Sequence, residues 1–378
     1  MRFQLRPVAT VIAAAGWLAA CATAPPAVPP PFAPPPPPQS YLQPWAYPPP
    51  PLSARRTAPA PPAGDAFADL AGWPDDDHAA ALTAFEKGCA VTRDAALAGV
   101  CARALMLGPV NEGRARAFLE ANFRPEAVAA PGLLTAYFSP VYEARPSPAG
   151  AFTAPVRPRP SDLAAGGGAY ADRAAIEARP AAGALAWMRP EDLFFLQIQG
   201  SGVLVFPNGE RARAIFDGTN GAPFVGIASA MRQAGLLADD DTSGDAIRGW
   251  LAANRGERAR RIMALDPRYV FFRLGPDDGL EPAGAAGAPL IAGRSVAVDA
   301  ALHPLGEMVW IDATAPALAG AFPSYRRLAV ALDTGGAIKG EARADLYLGE
   351  GPAAGLEAGR VRHVLRLYRL APLDRPGW

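Results

Sequence analysis

The stretch Ala331-Leu332-Asp333-Thr334-Gly335-Gly336-Ala337-Ile338-Lys339-Gly340, followed by Ala344-Asp345-Leu346-Tyr347, decides how this chain is read. Asp333 closes an apolar β-type run, Leu328 to Leu332, and enters a Gly-rich turn. Asp345, 12 residues on, opens a second apolar and aromatic run. The pattern predicts strand, tight connection, strand, with a carboxylate at each strand end. Two carboxylates beside a backbone that allows close approach suit acid/base chemistry on an uncharged substrate.

Working upstream, Ser295-Val296-Ala297-Val298-Asp299 is another strand ending in aspartate, followed by His303-Pro304-Leu305-Gly306. Each of the three aspartates, taken alone, is a residue type that caps its own turn. Short β-rich runs separated by Gly and Pro fill much of the chain from Leu133 on: Leu134 to Phe138, Leu193 to Gln199, Val203 to Phe206, Arg211 to Phe216, Tyr269 to Phe272, Met308 to Ile311 and Val361 to Leu370. Irregular spacing with few crossover helices argues for β-barrels over a parallel α/β sheet. Trp73 to about Phe123 reads as helical, closed by Arg124-Pro125, and a second helical patch covers Gly226 to Leu236 and Ala246 to Ala253.

In Leu196-Gln197-Ile198-Gln199-Gly200-Ser201-Gly202 the two glutamines alternate, so as a strand they share one polar face that suits a ligand rich in hydroxyls and amides. Gly218-Thr219-Asn220-Gly221 is a turn by composition. Cys89 and Cys101 sit in the helical region, and at this spacing in an exported protein they read as a disulfide restraining the unfolded chain by roughly 2–3 kcal/mol. The three histidines, His78, His303 and His363, are scattered, and no metal or cofactor is implied.

The N-terminus reads as an export signal. Arg2 and Arg6 precede an apolar run from Val8 to Leu18, and Leu18-Ala19-Ala20-Cys21 resembles the bacterial lipobox, in which Cys21 would be acylated. Ala22 after Cys21 favours the outer membrane under the usual sorting rule. Eighteen of the 43 prolines fall between Pro25 and Pro62. Such a tether favours polyproline II, and about 40 residues would reach roughly 120 Å. The chain of 378 residues carries 36 basic and 36 acidic residues, so no nucleic-acid footprint is visible. Lys87 and Lys339 are its two lysines.

Taken together, Val298-Asp299 with Pro304-Leu305-Gly306, Asp333 to Gly340 and Asp345-Leu346-Tyr347 resemble the membrane-bound lytic murein transglycosylase A family, whose C-terminal "3D" domain is named for three aspartates. Leu196 to Gly202 and Tyr269 to Phe272 extend the match over about residues 70 to 370. The resemblance implies a mainly β fold with some α: a double-psi β-barrel, a smaller inserted β domain and an N-terminal helical segment. The implied boundaries are 1–21 for the signal, 22–64 for the tether, 65–140 for the helices and first part of the barrel, 141–265 for the insert and 266–378 for the 3D domain.

The resemblance also implies the chemistry: non-hydrolytic cleavage of the β-1,4 bond between N-acetylmuramic acid and N-acetylglucosamine, leaving 1,6-anhydro ends. Such an enzyme is a lyase, an exotransglycosylase by family usage, acting as a monomer on peptidoglycan glycan strands. Its other partners would be outer-membrane lipid, through Cys21, and proteins of wall synthesis. By position Asp345 is the acid/base, with Asp333, Asp299 and Lys339 in support, and Thr135, Tyr137, Gln199, Ser201 and Asn220 as glycan contacts. The chain departs from the family pattern at Thr135-Ala136-Tyr137-Phe138, where Thr-Gly-Tyr-Tyr is usual, and at Thr219, where glutamine is usual. Two alternatives remain. One is a non-catalytic glycan-binding lipoprotein. The other is an aspartic-type hydrolase, which would need a second Asp-[Thr/Ser]-Gly that this chain lacks.

Overall fold

The structure is a computed structural model that describes residues 66–163, 170–238, 241–315 and 321–373. The expected export signal with Cys21 and the whole of the proline-rich tether lie outside the described residues. After short 3-10 turns at Phe67–Asp69 and Trp73–Asp75, three helices follow: α1 (His78–Gly88), α2 (Ala95–Leu107) and α3 (Glu112–Asn122). Each starts on a side-chain cap that satisfies an amide the helix cannot: Asp77 accepts from Ala80 N, Asp94 from Ala96 N and Leu97 N, and Asn111 from Arg114 N. Cys89 and Cys101 form a disulfide with Cα atoms 5.5 Å apart, joining the end of α1 to α2.

The strands are β1 (Phe123–Ala127), β2 (Gly132–Ser139), β3 (Val141–Glu143), β4 (Ala154–Val156), β5 (Ala186–Met188), β6 (Gly202–Val205), β7 (Arg211–Thr219), β8 (Val270–Pro276), β9 (Ser295–Val298), β10 (Met308–Thr314), β11 (Ser324–Thr334), β12 (Arg343–Glu350) and β13 (Arg362–Pro372). In one sheet the order is β1-β13-β10-β11-β9-β12-β2, and a further β13–β2 pairing closes six of these strands into a barrel. β2 runs parallel to β12 and antiparallel to β13. A second sheet, β3-β6-β7-β8, and the β4–β5 pair are built from the chain between β2 and β9.

Strand alternation divides the barrel's two faces. Val309, Ile311 and Ala313 of β10, Ala329 and Ala331 of β11, and Ala344 and Leu346 of β12 fill one core with Val296, Val298 and Leu134. The residues of opposite parity, Met308, Trp310, Leu328, Val330 and Leu332, pack instead against Leu82, Phe85, Leu97 and Leu119 of the helices. Period-two patterning with both faces apolar is what lets the helices cover the barrel. Asp76 fastens the two layers, accepting from Leu328 N at 2.9 Å and from Arg294 Nη1 at 2.8 Å.

The remaining helices belong to the insert and the C-terminus: α4 (Arg173–Glu177), α5 (Pro190–Gln199), α6 (Ala228–Gln233), α7 (Gly244–Ala253), α8 (Glu257–Met263) and α9 (Gly351–Ala358). The helical patch expected from Gly226 to Leu236 and Ala246 to Ala253 is α6 and α7. Two local expectations are corrected. Residues 193–199 form the end of α5 and not a strand: Pro190 at the first turn and Gly200 as a left-handed C-cap (φ 84°) bound a helix whose residues Leu193, Phe194 and Leu196 are buried on several sides. Phe123–Ala127, expected to end the helical region, is a strand that pairs along β13, with Pro125 at the sheet edge.

Replacing Cys89 and Cys101 by serine should lower unfolding stability by about 2–3 kcal/mol, the loop-closure cost of a short span, as read by denaturant titration of the oxidised protein against the double variant.

Candidate active site

Three strands bring the aspartates together by register. β9 lies between β11 and β12. Asp345 of β12 sits opposite Ala297 of β9, and so does Asp333 of β11 from the other side. The parity of β11 would turn Asp333 toward the barrel interior, since Ala329 and Ala331 point there. A bulge between Ala331 and Asp333 absorbs the extra residue, Leu332, and turns Asp333 to the outer face, where Asp345 also points.

β2 completes the arrangement from the other side of β12. Its register puts Thr135 opposite Asp345 and Tyr137 opposite Tyr347. The Thr135 hydroxyl bonds Asp345 Oδ1, and Arg343 Nη2 donates to Thr135 Oγ1 at 2.8 Å. A guanidinium can only donate, so Thr135 accepts from Arg343; its single hydrogen then has one acceptor at hand, Asp345 Oδ1. Among the described residues no hydrogen bond reaches Oδ2 of Asp345, which leaves that oxygen able to carry a proton. Tyr137 OH donates to Asp333 Oδ2 at 2.8 Å, while Asp333 Oδ1 accepts from Ala285 N and Thr334 N, both at 2.9 Å. The rings of Tyr137 and Tyr347 pack with centroids 5.3 Å apart, and Tyr347 OH donates to Glu281 Oε2 at 2.5 Å.

Electrostatics separates the three aspartates. Burial raises the Asp345 carboxyl above its usual range, and the nearby Asp333 pushes the same way, against the pull of the Arg343 charge and the Thr135 hydrogen bond. Burial raises Asp333 as well, opposed by the hydrogen bonds from Ala285 N, Tyr137 and Thr334 N. Asp299 goes the other way. The Gly340 amide at 3.1 Å, with Lys339 Nζ at 3.2 Å and Ala301 N at 3.3 Å, holds it below the usual carboxylate range. A carboxylate so fully committed to amides and an ammonium pins the Gly-rich loop to the end of β9 and holds no spare proton.

Of the residues expected to meet a ligand, Thr135 and Tyr137 stand at the aspartates. Gln199 reaches the same strand from the insert, its Oε1 accepting from Phe138 N at 3.4 Å, and Ser201 follows the α5 C-cap half-buried. Because this segment is helical, Gln197 and Gln199 do not share a face. Gln197 is buried and accepts from Arg173 Nη1 at 2.5 Å. Asn220 is also a correction: it is 1% exposed, its Nδ2 donates to Pro267 O at 2.8 Å and Ala171 O at 3.0 Å, and its Oδ1 accepts from Tyr269 N at 2.8 Å. It braces the start of β8 and leaves no group for a ligand. Sequence reasoning misses Arg343, whose guanidinium looks there like any exposed strand arginine; only the β2–β12 register shows that it meets Thr135. Beside Ala285 opens a cleft of about 510 Å³ bounded by Arg93, Ala300, Pro304 and Leu305.

Residues 133–273 match the family model described as the MltA specific insert domain, and residues 294–371 that of the 3D domain. A membrane-bound lytic murein transglycosylase A of Vibrio cholerae is 32% identical over 255 residues, 65% of this chain and 66% of that protein. The Escherichia coli K12 protein of the same name is 32% identical over 242 residues, 62% of this chain and 64% of that protein. The matched stretch thus spans just under two thirds of these curated relatives. The crystal structure of a membrane-bound lytic murein transglycosylase from Agrobacterium tumefaciens is 31% identical, with a TM-score of 0.71, covering 81% of this chain and 96% of that one. E. coli MltA with bound chitohexaose is 28% identical, with a TM-score of 0.60, covering 71% and 81%. The closed six-stranded barrel with its N-terminal helices is, by these likenesses, a double-psi barrel.

Asn220→Ala should lower stability by about 3 kcal/mol, because it strands Tyr269 N and two backbone carbonyls in the interior, and thermal unfolding would show the loss.

Proposed function

This chain belongs to the membrane-bound lytic murein transglycosylase A family, and we propose that it cleaves the β-1,4 bond between N-acetylmuramic acid and N-acetylglucosamine in peptidoglycan without water. The observation that carries the reading is a single carboxyl, Asp345, raised by burial and by Asp333, with one oxygen fixed by Thr135 and the other free.

Asp345 gives its proton to the glycosidic oxygen as the bond from that oxygen to C1 of the muramyl residue breaks. The C6 hydroxyl of the same residue then closes on C1, and its proton returns to the Asp345 carboxylate. The products are a free hydroxyl on the leaving sugar and a 1,6-anhydro ring, with no net proton consumed. Hydrolytic glycosidases need a second carboxylate to activate water or to attack. Here the nucleophile is part of the substrate, and its proximity supplies what the second group would. Asp333 is held by two amides and a phenol. It is better placed to keep Tyr137 and the Gly-rich turn in position, and to bias Asp345 toward its acid form, than to react. Asp299 and Lys339 anchor the far end of the same loop. Gln199 and Ser201, from the insert, join Thr135 and Tyr137 as the glycan contacts that remain from the expected set.

The same reading places the enzyme on the periplasmic face of the outer membrane, held by acyl chains on Cys21. The lipobox-like Leu18 to Cys21 supports the anchor, and the proline-rich tether supports reach toward the wall. No helix among the described residues is long and apolar enough to cross a membrane.

Digestion of purified sacculi tests the reaction. The wild type should release 1,6-anhydro muropeptides by mass spectrometry, and Asp345→Asn should lower their rate by about 10³-fold, as expected for loss of a general acid. Reducing-end products would show a hydrolase, and binding without cleavage a lectin-like module. The pH profile carries a second expectation. Because Asp345 works in its acid form, activity falls as pH rises through its raised pKa. Arg343 and Thr135 stabilise the carboxylate, so Arg343→Met or Thr135→Val should shift that falling limb to higher pH while lowering the plateau.

A further inference from the structure

Arg268 lies between α8 and β8, past the expected insert boundary at 265 but within residues 133–273 that match the insert-domain model, and its backbone is tied down at both groups. Its amide donates to Asp266 Oδ1 at 3.2 Å, and its carbonyl accepts from Arg173 Nη2 at 2.5 Å. The guanidinium is not: it makes no hydrogen bond or ion pair with the described residues. The nearest acid, Asp266, is already committed, accepting from Val225 N at 3.0 Å and facing Arg173 Nη2 at 3.5 Å. The group is nonetheless half-buried, and burial pushes its pKa down. A guanidinium taken partly out of water with none of its five donors used is a cost the fold does not recover by itself.

The guanidinium crosses from the insert to the barrel. It hangs over Gly336 so closely that a Cβ there would lie 2.5 Å from Nη1, and Gly336 is exposed, three residues beyond Asp333. The two aspartates that flank that turn are not available to it. Asp333 is saturated by Ala285 N, Thr334 N and Tyr137 OH, and Asp299 by Lys339 and two amides. A planar fork of donors with no partner among the described residues, over the Gly-rich turn that follows Asp333, fits a carboxylate that arrives with the substrate.

We propose that Arg268 binds a carboxylate of the glycan strand, so that the enzyme recognises the acidic substituents of a muramyl polysaccharide as well as its sugar rings. The proposal rests on the substrate assigned above. Two groups on such a strand share the chemistry: the lactyl carboxylate, free once peptide is removed, and the carboxylates of an attached peptide. Glucosamine polymers carry neither. Gly336, by lacking a side chain, leaves the space through which the guanidinium reaches the strand.

The test measures binding, on the full chain carrying Asp345→Asn so that ligand is not consumed, with and without Arg268→Gln. Three probes are titrated: strands bearing peptide, strands stripped of peptide, and chitohexaose. Loss of one charged hydrogen-bonding partner should weaken binding of a carboxylate-bearing probe about tenfold and leave chitohexaose unchanged. The probe that loses affinity names the source of the carboxylate. Equal losses on all three probes, or loss on none, would overturn the proposal. Arg268→Lys, which keeps the charge, should recover part of the affinity. A measurement that needs no Arg268 variant tests the same contact: methyl-esterified strands should bind the Arg268 protein about tenfold more weakly than free-acid strands, and equal binding would overturn the assignment. Because binding is read apart from turnover, failure of the proposed reaction and failure of this site are separately visible.

Discussion

The pairing of β2 with both β12 and β13 is the constraint on which the rest of this structure depends. β2 comes from the N-terminal side of the insert, about 200 residues before its partners, and its two ladders turn an open sheet into a closed one. Closure removes free edges and fixes register on both sides of β2 at once. The same register decides the chemistry, because it sets Thr135 against Asp345 and Tyr137 near Asp333. A one-residue slip would move every one of these side chains to the opposite face. The strand that closes the barrel therefore also assembles the site, and the insert that follows it delivers Gln199 and Arg268 to the same outer face.

Three aspartates of one sequence type differ in how readily they ionise because their surroundings differ. Asp299 ends a strand and meets two amides and an ammonium, which favour its charge. Asp345 stands inside the strand β12, where burial opposes charge, with only Thr135 and Arg343 to offset it. Asp333 lies between these, desolvated like Asp345 but saturated with donors. The bulge before Asp333 is as important as the residue itself. Without it the carboxyl would face an apolar interior that offers no partner.

The barrel strands are legible in the sequence because their apolar runs are long, end at Gly or Asp, and repeat with period two. Residues 193–199 mislead because a buried helix with apolar residues on several sides has the same local composition as a strand, and the Pro190 and Gly200 that bound it lie outside the run. Asn220 reads as a ligand contact because it sits in a Gly-flanked turn. Its side chain is taken by the backbone of a segment some 50 residues away, a contact that turn composition does not encode. Arg343 and Arg268 escape notice for the opposite reason: in a chain whose cations are nearly all arginine, composition gives no sign of which ones are committed.

The sequence by itself determined the family of this protein and the carboxylates from which its acid is proposed. The order Val298-Asp299, Asp333 to Gly340, Asp345-Leu346-Tyr347 singled out the carboxylates and their Gly-rich turn, since apolar periodicity and turn chemistry are local properties. Only the tertiary structure decided which of them burial raises with few donors to oppose it, which is saturated with donors, and which arginine faces the raised one. Those differences arise from desolvation and from partners brought from β2, the insert and the loop before β9, and proximity across such distances along the chain exists only once the barrel is closed.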